Sequence, residues 1–235
     1  MSDAKHSQTN LRKPAIVAVI AGLEDLRVWR TFSGVADLFE LRLDRLLTAK
    51  PDLTPADFSP GGPFVITARD SSEGGAPELT FEDRLSLLRT WLDIADWIDV
   101  EAGNLLAYAE LVETARTKGK RIVISYHNFD RTPDPAVLEK ILNNVPFDGP
   151  FVFKAATRVD SWQDLSNLTN FLLSCPDRDL ALMGMGPFGK LSRLLLPAFG
   201  SRLVYASCAK SVVPGQWPVE TLRTTLDALE ISTSW

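Results

Sequence analysis

The sequence predicts an α/β protein, a single (β/α)8 barrel of the TIM type, and three observations lead there. Eight apolar runs start roughly 20 to 35 residues apart, which is the repeat of a strand–helix unit. The segments between them carry helix signals rather than hairpin turns. The 235 residues are 45 % hydrophobic, enough for one large core with no separate second domain. An open doubly wound sheet is the alternative, and it needs a ligand crevice where the strand order reverses.

In chain order, residues 1–12 read as a disordered tail, which leaves 13–235 for the barrel. The strand-like runs are Ala15–Ile20, Leu38–Leu43, Phe64–Ala68, Trp97–Val100, Arg121–Tyr126, Phe151–Ala156, Leu180–Met185 and Leu203–Ala206. Thr80 with Asp83 forms a capping signature ahead of Leu85, Leu88 and Leu92 at helical spacing. Gly119 sits where a glycine stop belongs after the helical stretch Leu105–Arg116. Asp134-Pro135 opens a helix carrying Leu138, Ile141, Leu142 and Val145. Ser161 and Asp164 open the next, with Leu165, Leu168, Phe171 and Leu172 on one face. The last helix carries Leu222, Leu226 and Leu229. Thr48–Gly62, rich in proline and glycine, predicts a helix that is short or absent.

Strand side chains alternate with period two. In Glu40-Leu41-Arg42-Leu43-Asp44 the leucines take the face toward the helices, so Glu40, Arg42 and Asp44 point to the axis. By the same alternation Asp99 and Glu101 face inward. Thr67 and Arg69 end the third run, Ser125 and His127 the fifth, Lys154 lies in the sixth, and Met183 and Met185 in the seventh. Charged side chains of both signs therefore converge toward the C-terminal ends of the strands, where barrels of this kind carry their chemistry.

Lys154 is the most informative of these. An isolated ammonium in a buried strand is expensive to desolvate. Either carboxylates elsewhere pair with it, or it is a tuned amine able to attack a carbonyl and form a Schiff base. His127 shares the barrel with it, and an imidazole moves protons near neutral pH.

Composition excludes several classes of function. The formal net charge is −5 with no basic block, which argues against nucleic acid as a partner. Met1–Asn10 lacks an apolar core for a signal peptide, and no run reaches membrane-span length, so a cytoplasmic protein without membrane contact is expected. Cys175 and Cys208 are far apart and in no metal-ligand spacing. Gly184-Met185-Gly186-Pro187-Phe188-Gly189 fits a dinucleotide fingerprint by letter. It follows the seventh run, however, and lacks the acidic residue expected about 20 positions on. Gly189-Lys190-Leu191 misses a P-loop by its last residue, and Ser207-Cys208-Ala209-Lys210 lacks the companion motifs of the penicillin-binding enzymes. A glycine-rich turn opening a helix still favours an anion, and Arg193 adds a fork suited to a carboxylate. The loops Asp70–Leu79, carrying Glu73, and Ser211–Pro218, carrying Gln216, read either as segments that close over a barrel mouth or as ordinary surface connections.

Seven stretches in order resemble type I 3-dehydroquinate dehydratase, the Schiff-base enzyme of the shikimate pathway. They are Glu40 to Asp44, Arg69 to Gly75, Ile98 to Glu101, Ser125 to Phe129, Lys154-Ala155, Met183 to Arg193, and Pro214-Gly215-Gln216. The resemblance implies a (β/α)8 fold and the removal of water from 3-dehydroquinate to give 3-dehydroshikimate, a step toward chorismate and the aromatic amino acids. It implies that Lys154 forms the imine, that His127 moves the proton, and that Glu73 orients His127. Arg193 with Gln216 holds the substrate carboxylate, and Glu40, Arg42 and Arg69 hold the ring hydroxyls. No metal or organic cofactor is implied, and a homodimer is the family expectation. The sequence departs from the family in one place. Val212 stands where a substrate-touching serine is usual, and Ser211 lies one residue earlier. A class I aldolase shares the lysine but not this grip of arginines. A non-catalytic dehydroquinate-binding module is expected to lack Lys154 or His127.

Overall fold

A computed structural model describes residues 14–77, 79–209 and 215–231 of the chain. The expectations for residues 1–12, Ser211 and Val212 fall outside the described residues. Eight strands alternate with eight α-helices among the described residues: β1 Ala15–Ile20, α1 Leu23–Val28, β2 Leu38–Arg42, α2 Leu43–Ala49, β3 Phe64–Thr67, α3 Phe81–Trp91, β4 Trp97–Glu101, α4 Ala109–Thr117, β5 Arg121–Asn128, α5 Pro135–Asn143, β6 Val152–Arg158, α6 Trp162–Ser174, β7 Leu180–Met185, α7 Gly189–Ala198, β8 Leu203–Ser207 and α8 Val219–Ala228.

The strands run β7-β6-β5-β4-β3-β2-β1-β8, each pair parallel. Sequence neighbours are spatial neighbours throughout, so the order never reverses and the doubly wound alternative is excluded. β8 curls back against β7. There the Arg202 amide donates to Leu180 O at 2.7 Å, and the Ser201 hydroxyl receives the Leu182 amide at 2.8 Å. A serine side chain thus takes over part of the strand ladder at the seam.

The expected alternation sorts the strand residues into two apolar layers. Ile16, Ala18, Leu41, Ile66, Ile98, Ile124, Phe153 and Leu182 pack outward against the helices. Val17, Leu38, Val65, Trp97, Val123, Val152, Ala181 and Leu203 fill the barrel interior toward its N-terminal end. Parallel strands covered on both faces must bury both sets of side chains. The polar residues are thereby confined to the C-terminal half, above an apolar plug.

Local signals act as expected in most helices. Thr80 with Asp83, and Ser161 with Asp164, close reciprocal capping boxes on α3 and α6. Pro135 opens α5, although the Asp134 side chain makes no cap bond. Among the boundaries that differ from expectation, three bear on the site. β5 and β6 each run two residues further, because the pairs His127↔Ala156 and Asn128↔Thr157 continue the ladder. β2 ends at Arg42, so Asp44 lies in the first turn of α2 and not on the axis. Its carboxylate receives Arg42 Nε at 3.0 Å and NH2 at 2.9 Å. In the stretch 48–62, after the short α2, one turn of 3-10 helix at Pro55–Phe58 stands in for a longer element. Phe58 packs there against Trp29, Phe64 and Trp91 with ring centroids 5.6–5.9 Å apart. Aromatic burial covers the barrel wall where helical burial is short.

Candidate active site

A cavity of about 450 Å³ opens at the C-terminal end of the barrel. That is ample for a six-membered ring bearing substituents. Lys154, His127, Glu73 and Glu40 line it, as do Arg42, Arg69, Arg193 and Gln216. Every sequence candidate within the described residues therefore reaches one chamber. Ser211, the remaining candidate, lies outside them.

Lys154 is both ion-paired and open to the cavity. It is buried, and its Nζ lies 2.6 Å from Asp99 Oδ2, so carboxylate pairing is real. It also opens on the cavity, so the ion pair leaves room for a guest. The sequence reading placed Asp99 on the axis but gave it no role. Asp99 Oδ1 receives Arg69 NH2 at 2.8 Å and the Ser125 hydroxyl at 2.6 Å. Burial alone would push the Asp99 carboxyl up, but Arg69 and Lys154 overcome this and hold it at about 2.

Arg69 is the hub of the charge network. Its guanidinium meets Asp99, Glu101 at 3.3 Å and the Ser125 hydroxyl, with Glu73 at 4.0 Å. Burial works against its charge, yet these carboxylates hold it firmly protonated. Glu101 is fixed in turn by the Tyr108 hydroxyl at 2.9 Å and the Asp70 amide at 3.0 Å. Arg42 is clamped by Asp44 and donates to Gly74 O at 3.2 Å. Arg42 and Arg69 thus spend most of their donors on the protein. NH1 of Arg42 and Nε of Arg69 make none of these bonds. Glu40 is held by the Thr67 hydroxyl at 2.8 Å.

His127 Nδ1 lies 2.8 Å from Glu73 Oε2. Donating Nδ1–H to that carboxylate leaves the lone pair on Nε2. Burial, then the positive charges of Arg69, Lys154 and Arg42, lower the imidazole well below its ordinary value, so it is neutral at pH 7. Glu73 comes from a one-turn 3-10 helix, Ser71–Glu73, on the loop after β3. That loop is folded tightly: a Cβ on Gly75 would lie 1.9 Å from Arg69 O. Burial raises the Glu73 carboxyl to about 7 against the opposing pull of Arg69.

Arg193 sits in α7, wholly enclosed. Its Nε donates to Tyr205 O at 3.0 Å, and NH1 donates to the carbonyls of Gly184, Gly189 and Gly215 at 2.7–3.0 Å. Among the described residues no carboxylate neutralises it. Burial lowers its guanidinium to about 10, still charged at neutral pH. The glycines are explained by this packing and not by a nucleotide. A Cβ on Gly189 would lie 2.8 Å from the Gly215 Cα, and one on Gly184 would lie 2.8 Å from Val159. Only bare backbone lets three carbonyls converge on one guanidinium.

Sequence reasoning missed Arg45, Arg158 and Tyr205, which also line the cavity. Arg45 shares Gly74 O with Arg42, at 3.1 Å. For Tyr205 the signal was available, since it holds an inward position in Leu203–Ser207. Arg45 follows the end of a strand, where period-two reasoning no longer applies.

Fold and site together define a barrel enzyme with a buried primary amine in a polar cavity at the strands' C-terminal ends. Comparison with known proteins sharpens this. A family model described as type I 3-dehydroquinase matches residues 18–233, and the chain belongs to that family of hydro-lyases. The 3-dehydroquinate dehydratase of Methanococcoides burtonii is 34 % identical over 225 residues, covering 93 % of this chain and 95 % of its own. That of Thermococcus gammatolerans is 34 % identical over 202 residues, covering 84 % and 90 %. The crystal structure of 3-dehydroquinate dehydratase from Geobacillus kaustophilus superposes with a TM-score of 0.80 at 25 % identity, covering 94 % of this chain and 93 % of that one.

Proposed function

We propose that this chain dehydrates 3-dehydroquinate to 3-dehydroshikimate through an imine on Lys154, with His127 as the proton carrier. The observation that carries the reading is the placement of Lys154 Nζ and the Glu73-held imidazole on one cavity with Arg193, a buried cation that no carboxylate neutralises among the described residues.

The substrate is a cyclic keto acid, and its carboxylate completes Arg193, assisted by Gln216. A carboxylate there supplies the charge that the protein withholds, in the bidentate geometry a guanidinium favours. Glu40, with Arg42 and Arg69, grips the ring hydroxyls. Lys154 Nζ attacks the ketone, and water leaves as the C=N bond forms. The resulting iminium draws electrons from the neighbouring carbon, whose proton passes to His127 Nε2. The electron pair returns from the enamine to expel the hydroxyl one carbon further on, and the hydroxyl departs as water with the proton from His127. Hydrolysis of the imine frees the enone and restores Lys154. Asp99 holds Nζ in place between turnovers, and Glu73 keeps the imidazole in the tautomer whose Nε2 is basic.

The test is borohydride reduction in the presence of 3-dehydroquinate, followed by peptide mass analysis. A stable adduct on Lys154, absent from Lys154→Met, supports the reading. An adduct elsewhere, or none while no enone absorbance develops, sinks it. His127→Ala should still give the adduct while turnover drops by about 10²–10⁴-fold. Full activity in that variant would refute the proton-transfer role.

A further inference from the structure

Tyr205 lines the cavity beside Lys154, and the mechanism above leaves it without a task. It projects inward from β8, and its ring lies 4.6 Å from Lys154 Nζ. Its hydroxyl is buried and has no hydrogen-bond partner among the described residues. The carboxylates around it face other donors: Asp99 serves Lys154, Arg69 and Ser125, and Glu40 Oε1 receives Thr67. A buried hydroxyl without a partner costs stability, and phenylalanine would fill the same layer without that cost. A local rule broken beside the reacting amine marks a group kept for function. Burial, reinforced by the charges of Glu40 and Asp99, pushes the phenol well above its ordinary range, so it stays protonated and able to donate.

We infer that the Tyr205 hydroxyl donates a hydrogen bond to the oxygen that develops negative charge when Lys154 attacks the ketone. This rests on the imine reading. As the Nζ–C bond forms, the C=O π pair moves onto that oxygen, and the proton shed by Nζ neutralises it to a carbinolamine. Atoms and charge balance within amine plus ketone, and Tyr205 is unchanged by the step. The ring adds a second effect, because its π face favours the cationic nitrogen of the iminium that follows. The backbone of the same residue anchors Arg193 through Tyr205 O, so one residue ties the reacting end of the cavity to the carboxylate end.

The experiment is rapid-quench borohydride trapping of wild type and Tyr205→Phe with 3-dehydroquinate, together with thermal unfolding. The expected result is adduct formation slowed by about 10- to 100-fold, kcat falling with little change in KM, and a Tm equal to or above wild type. Tyr205→Leu, which also loses the ring, should trap more slowly still. Unchanged trapping kinetics in Tyr205→Phe overturn the inference, as does a raised KM with intact kcat, since that marks uniform substrate binding. A lowered Tm with loss of all activities marks a structural role and overturns it as well. Failure of wild type itself to trap any adduct sinks the imine reading first, so the two failures are distinguishable.

Discussion

Lys154 Nζ sits 2.6 Å from one oxygen of Asp99, while the other oxygen receives Arg69 and Ser125. One buried carboxylate therefore bridges Lys154 and Arg69, and Arg69 has Glu101 as a second partner. Removing one partner of such a pair leaves a buried charge uncompensated.

Asp99→Asn should consequently cost about 3–5 kcal/mol of stability in urea unfolding. Lys154→Met should cost less, because Asp99 keeps Arg69 and Ser125 when the amine is gone. Equal losses in the two variants would show that the pair, and not the carboxylate, is the structural unit.

The pH dependence follows from the Glu73–His127 pair. Burial raises Glu73 to about 7 from 4.5, so between those values the native chain binds more protons than the unfolded one. Its contribution to stability is fully present below pH 4.5 and is lost as pH rises through about 7. Glu73→Gln should therefore gain stability relative to wild type at pH 8 and not at pH 4. Activity runs the other way. Protonated Glu73 polarises the imidazole less, so kcat/KM should fall as pH drops below about 7. Glu73→Gln should flatten that limb and lower the plateau by about 10–100-fold. A pH–rate profile with the limb intact in the variant would reassign it.

Arg193→Lys removes the fork and three of the converging carbonyl contacts at once. KM for the keto acid should rise by about 10- to 100-fold, the worth of a hydrogen-bonded charged group. Substrate should raise the Tm of wild type, and should raise that of the variant less at the same concentration. A KM within about twofold of wild type would place the carboxylate elsewhere.

Gly75→Ala tests the loop that carries Glu73. The added methyl meets Arg69 O at 1.9 Å and the Arg69 and Asp70 carbonyl carbons at 2.5 and 2.8 Å, and main chain cannot swing aside as a side chain does. About 1–3 kcal/mol of strain is expected. Because the loop must shift, the 2.8 Å contact from Glu73 to His127 should open, and turnover should fall with the stability. A fully active, fully stable variant would show that the loop relaxes freely.

The eight strands were legible because β-branched and apolar runs recur at a spacing that only strand–helix units produce. The inward set was legible because alternation leaves no choice once one face is leucine-rich. Asp44 escaped this logic, since the strand ended two residues before it and the helical turn redirected its carboxylate onto Arg42. Arg45 escaped for the same reason. The glycine-rich turn suggested an anion site beside Arg193. Its glycines, however, serve close backbone approach, a relation between segments far apart in the chain.

What the amino-acid order determined by itself was the barrel, the face each strand residue takes, and the small set of titratable groups on the axis. Period and composition are local properties, and they survive being read one residue at a time. What only the tertiary structure decided was who pairs with whom. That Asp99 holds both Lys154 and Arg69, that Glu73 reaches His127, and that among the described residues Arg193 meets carbonyls but no carboxylate and the Tyr205 hydroxyl meets no hydrogen-bond partner are facts of distance. Charges and donors act through space, and closing a sheet into a cylinder brings side chains from six strands within a few ångströms of one another.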